Sequence, residues 1–177
     1  MRSRRMPVVV TVLIVGGAAL FSPASAGAAD SRGRSSVDSG EIRWEDETRF
    51  DDARKWSHSV WTNKDAGLTQ IKIAPDSSWT ITDLEWRDES RKDVSWIAQW
   101  RGKSGADQIV MNRAYLDDGK KYGKTAWRRI AAAHELGHAL GLDHKANGTL
   151  MAKTIDKVAS NARPTKADRD GYHRLWG

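Results

Sequence analysis

The sequence predicts an α+β fold, a single domain in which a twisted, mixed β-sheet of about five strands is backed by helices, three in all. Two kinds of pattern carry that expectation. Short segments alternate apolar and polar residues with a period of two, and longer ones repeat apolar residues every three or four positions. The third observation is their order, with strands concentrated in the first half of the domain and helices at its start, middle and end.

Ile42-Arg43-Trp44 opens the ordered part with apolar, polar, apolar alternation and reads as a first strand. In the next segment Phe50, Ala53, Trp56, Ser57, Val60 and Trp61 recur at three and four, so residues 50–62 form an amphipathic helix that ends before Asn63. Ile71-Lys72-Ile73 alternates ahead of Pro75 and Asp76, the run from Trp79 to Trp86 reads as extended, and the run from Val94 to Trp100 is rich in strand formers. Asp107 to Asn112 supplies the last strand. Thr125 is placed to cap the following helix, in which Trp127, Ile130, Ala131, His134 and His138 share one face. A third helix runs from Thr165 to Leu175.

Residues 1–26 have the build of a secretory signal peptide: Arg2, Arg4 and Arg5, an apolar middle from Pro7 to Phe21, and a small-residue cleavage site at Ala24-Ser25-Ala26, with cleavage after Ala29 as the rival. The apolar run is shorter than the ~20 residues a membrane span needs and is interrupted by Gly16 and Gly17, which argues against a stable membrane anchor. Residues 27–40 are small, polar and aperiodic and read as a flexible leader to a domain spanning 41–177. Loss of the three N-terminal arginines takes the formal charge from +6 to +3, too mild to argue for nucleic acid. Cysteine is absent, so a secreted, extracellular chain of this composition must rest on its core rather than on disulfides. Nine tryptophans suggest an aromatic sugar-binding platform, but Trp56, Trp61 and Trp127 fall on buried helix stripes, and core packing explains the rest better.

The chemistry concentrates in His134-Glu135-Leu136-Gly137-His138-Ala139-Leu140-Gly141-Leu142-Asp143-His144. Residues four apart share a helix face, so His134 and His138 can point their ring nitrogens at one ion. Glu135 lies about 100° further round, beside a water on that ion, where a general base belongs. Gly141 can take the left-handed geometry that ends a helix and returns His144 as a third ligand. Three protein ligands leave a tetrahedral zinc with an open, catalytic position. A lone histidine is usually an ordinary core or surface residue, but a chance match to all five fixed positions is expected on the order of once in 100,000 such chains. His58 and His173 stand outside this string in polar helical contexts and read as exposed surface residues.

The string HELGHALGLDH resembles the zinc signature of the metzincin metalloproteases, H-E-x-x-H-x-x-G-x-x-H, at each defining position. The resemblance implies a methionine turn after the third ligand, and Met151 in Gly148-Thr149-Leu150-Met151 suits it. The ending Gly171-Tyr172-His173-Arg174-Leu175-Trp176-Gly177 is similar to the last helix of a matrixin catalytic domain, and by that register Asp168 resembles the aspartate that buttresses the turn. A small, secreted, bacterial-type member is implied. So is a fold in which the active-site helix is followed by the Met-turn and a C-terminal helix. The resemblance also makes the strand around Ile97 and Ala98 the antiparallel edge that binds extended substrate. The departures are informative. A cysteine switch is impossible here, no histidine between His58 and His134 is available for a second zinc, and Ala152-Lys153-Thr154-Ile155 replaces the family's proline-and-tyrosine pocket wall. The loops Arg101 to Asp107 and Asp117 to Gly123 contain the Asp and Gly of calcium-holding matrixin loops, without an oxygen-ligand pattern that establishes Ca²⁺.

The expected function is therefore a secreted zinc endopeptidase acting on protein or peptide substrates, with one catalytic Zn²⁺ held by His134, His138 and His144 and Glu135 as the base. The alternative is a secreted zinc-holding binding protein or pseudo-protease without hydrolytic activity. Latency would depend on a separate proteinaceous inhibitor or on leader aspartates reaching the zinc, or else the chain is active once the signal is removed.

Overall fold

The computed structural model describes residues 29–159 and 161–177. The expected signal at 1–26, with cleavage after Ala26, and the start of the 27–40 leader lie outside the described residues. Strands β1 (Glu41–Asp46), β2 (Lys72–Pro75), β3 (Leu84–Glu89), β4 (Ala98–Arg101) and β5 (Asp107–Asn112) form one sheet in the order β2-β1-β3-β5-β4. Three pairings are parallel; β4 alone runs antiparallel, with Ala98 opposite Met111 and Trp100 opposite Ile109. The sheet is thus mixed and five-stranded, and the strand expected at its antiparallel edge is there.

Helix α1 (Asp51–Trp61) follows β1, the single-turn α2 (Arg113–Leu116) follows β5, and the long α3 (Thr125–Ala139) and the final α4 (Lys166–Trp176) complete the element order. The three expected helices are present, with α2 as a fourth. Helices α1 and α3 pack along each other, and the Trp61 indole N–H donates to the Ala133 carbonyl at 2.7 Å. The core fills the space between them and the sheet with Ile42, Trp86, Ile109 and Met111 from strands and Trp61, Ile130 and Leu136 from helices. Each such side chain contributes about 1.5–3 kcal/mol on leaving water. Tyr172 ties α4 to the start of β2 by accepting the Ile71 N–H at 2.9 Å and stacks on Trp61.

Local chemistry moves several boundaries. The run from Trp79 to Trp86 becomes strand only at Leu84, because Asp76 accepts the hydroxyls of Thr80 and Thr82 and folds the preceding residues into a turn. That turn leaves Trp79 94% and Ile81 86% exposed. The run from Val94 becomes strand only at Ala98. Thr125 is the first residue of α3 rather than its cap; Lys124 occupies the cap position with no side-chain hydrogen bond. Thr165, in contrast, caps α4 in a reciprocal pairing with Asp168. Of the tryptophans, Trp61, Trp86 and Trp96 are buried and Trp44, Trp56, Trp100, Trp127 and Trp176 pack partly buried against the core, so only Trp79 stands free of it.

The segment read as a flexible leader makes specific contacts from Asp30 onward. Ser31 and Ser36 donate their backbone N–H groups to the Gly141 and Ala139 carbonyls, at 2.8 and 2.7 Å. Small polar residues hold this strap by hydrogen bonds rather than apolar burial, which composition does not reveal.

Candidate metal centre

Helix α3 turns His134, Glu135 and His138 into the interior, where they are 0%, 0% and 6% exposed. Their environment settles the tautomers. Each Nδ1 lies 2.8 Å from a backbone carbonyl, Leu150 for His134 and Leu142 for His138, and a carbonyl only accepts. Both Nδ1 atoms therefore carry the proton, and both Nε2 atoms present lone pairs. These two nitrogens sit 3.1 Å apart. Beyond Ala139 the chain turns at Gly141 and brings back His144, whose ring centroid lies 5.4 Å from that of His134 and 4.9 Å from that of His138. The buried Nε2 of His144 meets no partner among the described residues.

Among the described residues these three histidines form a metal-competent group, with ligand atoms all within 4.8 Å of one another. Converging lone pairs repel unless a cation lies between them. The Nε2 separation of 3.1 Å on α3 is close to the roughly 3.3 Å edge of a tetrahedron with zinc–nitrogen bonds of ~2.0–2.1 Å. Burial pushes the imidazoles of His134 and His138 down, His138 to about 3, so they remain neutral and able to coordinate. The donor set fits zinc in number, chemistry and tautomer.

Glu135 Oε2 accepts the backbone N–H of Trp100 at 2.6 Å, while Oε1 is buried with no partner among the described residues. Burial pushes its carboxyl up to about 8, with the Trp100 N–H pulling the other way. A cation at the triad favours the ionised form that a base requires. Since neighbouring residues in a strand point their backbone groups to opposite sides, the Trp100 N–H identifies the open edge of β4, and Ala98 shares that direction. Ile97 faces the other way, its carbonyl taken by the Asn112 N–H at 2.9 Å. Both side chains are fully buried.

Met151 lies wholly buried, packed so closely on α3 that a Cβ at Gly137 would stand 2.3 Å from its sulfur. The turn that carries it is held by Asp168, also fully buried, which accepts the N–H groups of Leu150 at 2.9 Å and Met151 at 3.3 Å. The same carboxylate takes both the N–H and the hydroxyl of Thr165. Asp168 thus buttresses the turn and closes the cap of α4 at once.

Other expectations meet a different structure. His58 is not exposed: its ring packs between Trp44 and Trp86, with centroids at 5.0 and 5.7 Å, and burial pushes its pKa down to about 3. His173 is half-buried against Tyr172. In the loops considered for calcium, Asp107 is occupied by the Ser36 hydroxyl and the Lys103 N–H, and Asp118 pairs with Arg128. Asp30 of the leader reaches not the triad but the Asp143 N–H, Lys145 and Arg174. Sequence reading missed the groups that orient the site, namely Trp100 and the carbonyls of Leu142 and Leu150. Backbone groups leave no compositional mark, although the two leucines flank residues already singled out.

A family model described as Matrixin matches residues 35–177. Among solved structures, myroilysin superposes with a TM-score of 0.56 at 12% identity, over 90% of this chain and 91% of that one. An archaemetzincin from Methanopyrus kandleri gives 0.50 at 11%, over 81% and 97%. A chain of the GM1-bound ECX AB5 holotoxin gives 0.51 at 14%, over 76% and 79%. At such identities the three structures speak to the fold alone.

Proposed function

The chain belongs to the matrixin family and is a zinc metalloendopeptidase, and from that premise we propose that it is a secreted enzyme in which His134, His138 and His144 hold the catalytic zinc and Glu135 is the general base. The observation that carries this reading is the pair of convergent Nε2 lone pairs on a helix that also carries a buried carboxylate with one oxygen unengaged among the described residues. Zinc, when bound, supplies a Lewis acid that acidifies a water and polarises the scissile carbonyl. Glu135 accepts the proton of the attacking water on Oε1 and returns it to the departing amine nitrogen. Trp100 holds the other oxygen, so the carboxylate keeps one orientation through both transfers.

An extended peptide is bound along the open edge of β4, where the backbone groups of Ala98 pair with it as an added strand. Ile97 contributes by filling the core behind that edge. Asp168 holds the turn of Leu150 and Met151, whose Leu150 carbonyl orients His134. Secretion is supported by the basic, apolar and small-residue succession over residues 1–26. Among the described residues no helix is long and apolar enough to cross a membrane.

The test is proteolysis of casein by the purified protein with chelator, and again after zinc is restored. Cleavage that stops and returns is expected. A protein that binds zinc yet never cleaves would contradict the assignment of Glu135 as the base.

A further inference from the structure

His134 and His138 are positioned by a helix, but His144 sits in irregular chain after Gly141, and something else must fix it. Its own N–H donates to the Asp143 carboxylate at 2.7 Å, and the residues on either side of it meet Asp30. The Asp30 carboxylate, 11% exposed, accepts the Asp143 N–H at 2.9 Å and the Lys145 ammonium at 3.0 Å, with Arg174 at 3.0 Å on the second oxygen. One carboxylate therefore grips the residue before the third ligand and the residue after it. From the opposite side, the Lys145 N–H donates to the Met151 carbonyl at 2.8 Å. His144 lies between these two anchors.

The strap that delivers Asp30 is itself built into the site. Beyond its two backbone bonds to the end of α3, the Ser36 hydroxyl donates to Asp107 at 2.8 Å and accepts the Trp100 indole N–H at 3.0 Å. Trp100 is the residue whose backbone N–H holds Glu135. Gly141, at φ +86°, serves the strap as well as the turn, since a Cβ there would stand 2.5 Å from the Ser31 carbonyl oxygen. Fixing a loop residue in a single geometry costs backbone entropy, which metal binding must otherwise supply.

We propose that the segment Asp30–Ser36 preorganises the metal centre, with Asp30 as the positioning residue that holds His144 in its coordinating place. The inference rests on the reading of the triad as the zinc site. It also reverses the expected part of the leader, from an inhibitor reaching the metal to a brace that raises metal affinity.

The experiment compares zinc dissociation constants, read by competition with a chromophoric chelator, for the unaltered protein, Asp30→Ala, Asp30→Asn and the control Asp52→Ala. The control removes an exposed ion pair with Arg129 that involves neither the three histidines nor Glu135. Asp30→Ala is expected to weaken zinc binding roughly 10- to 100-fold, the usual effect of losing a partner behind the ligands. Asp30→Asn keeps an acceptor for the Asp143 N–H without the charge and falls between; it also decides the matter if the alanine variant does not fold. The control stays within about twofold of the unaltered protein. Unchanged zinc affinity in both Asp30 variants, even with a lowered melting temperature, would make the strap merely structural and overturn the proposal. An unaltered protein that takes up no zinc overturns the triad reading and this inference together, which keeps the two failures distinct.

Discussion

Helices α1 and α3 lie against each other and both bury histidine, yet their histidines do opposite things. His58 on α1 is wedged between two indoles, with its Nε2 buried and facing no partner. His134 and His138 on α3 are just as enclosed, but a carbonyl fixes each Nδ1 and turns each Nε2 toward the other. Burial is common to both helices and makes all three imidazoles neutral. Orientation by the residues behind them is what separates a metal ligand from a core residue.

The largest test of that contrast sets His138→Ala beside His58→Phe. His138→Ala is expected to abolish stoichiometric zinc and casein cleavage, whereas His58→Phe keeps both; metal analysis and turnover on the same preparations check it. Asp168→Ala comes next, because it strands the donors of Leu150, Met151 and Thr165 in the interior. We expect a loss of about 2–5 kcal/mol in denaturant unfolding.

The smallest effect concerns pH and isolates α1. Unfolded, His58 takes up a proton below about 6.5, but in the folded state it does so only at about 3. Its contribution to stability is therefore present above pH 6.5 and is lost as pH falls toward 3. Between pH 7 and pH 4 the unaltered protein should lose more stability than His58→Phe, and thermal melts at matched pH values measure the difference. Parallel curves would mean that the ring is not enclosed as described.

The same contrast shows what the sequence could reveal. The ligand spacing, the strand at Asp107–Asn112 and the final helix are legible because each follows from neighbours within a few positions. Groups that orient the site come from far along the chain: Trp100 lies 35 residues from Glu135, and Asp30 lies 113 from Asp143. No periodicity links such pairs. His58 was misread for the same reason, since the strands that enclose it, at Trp44 and Trp86, arrive only through sheet pairing. The run from Trp79 was read as extended and is strand only from Leu84, because hydroxyl bonds to one aspartate outweighed the strand preference of Trp79 to Ile81.

The central claim is that Glu135 performs the proton transfers while the histidines hold the metal. Measuring bound zinc and casein turnover on one preparation of Glu135→Gln tests both halves together. The account predicts one zinc per chain with turnover lowered by roughly 10²- to 10⁴-fold, and cleavage at the unaltered rate with zinc retained would contradict it.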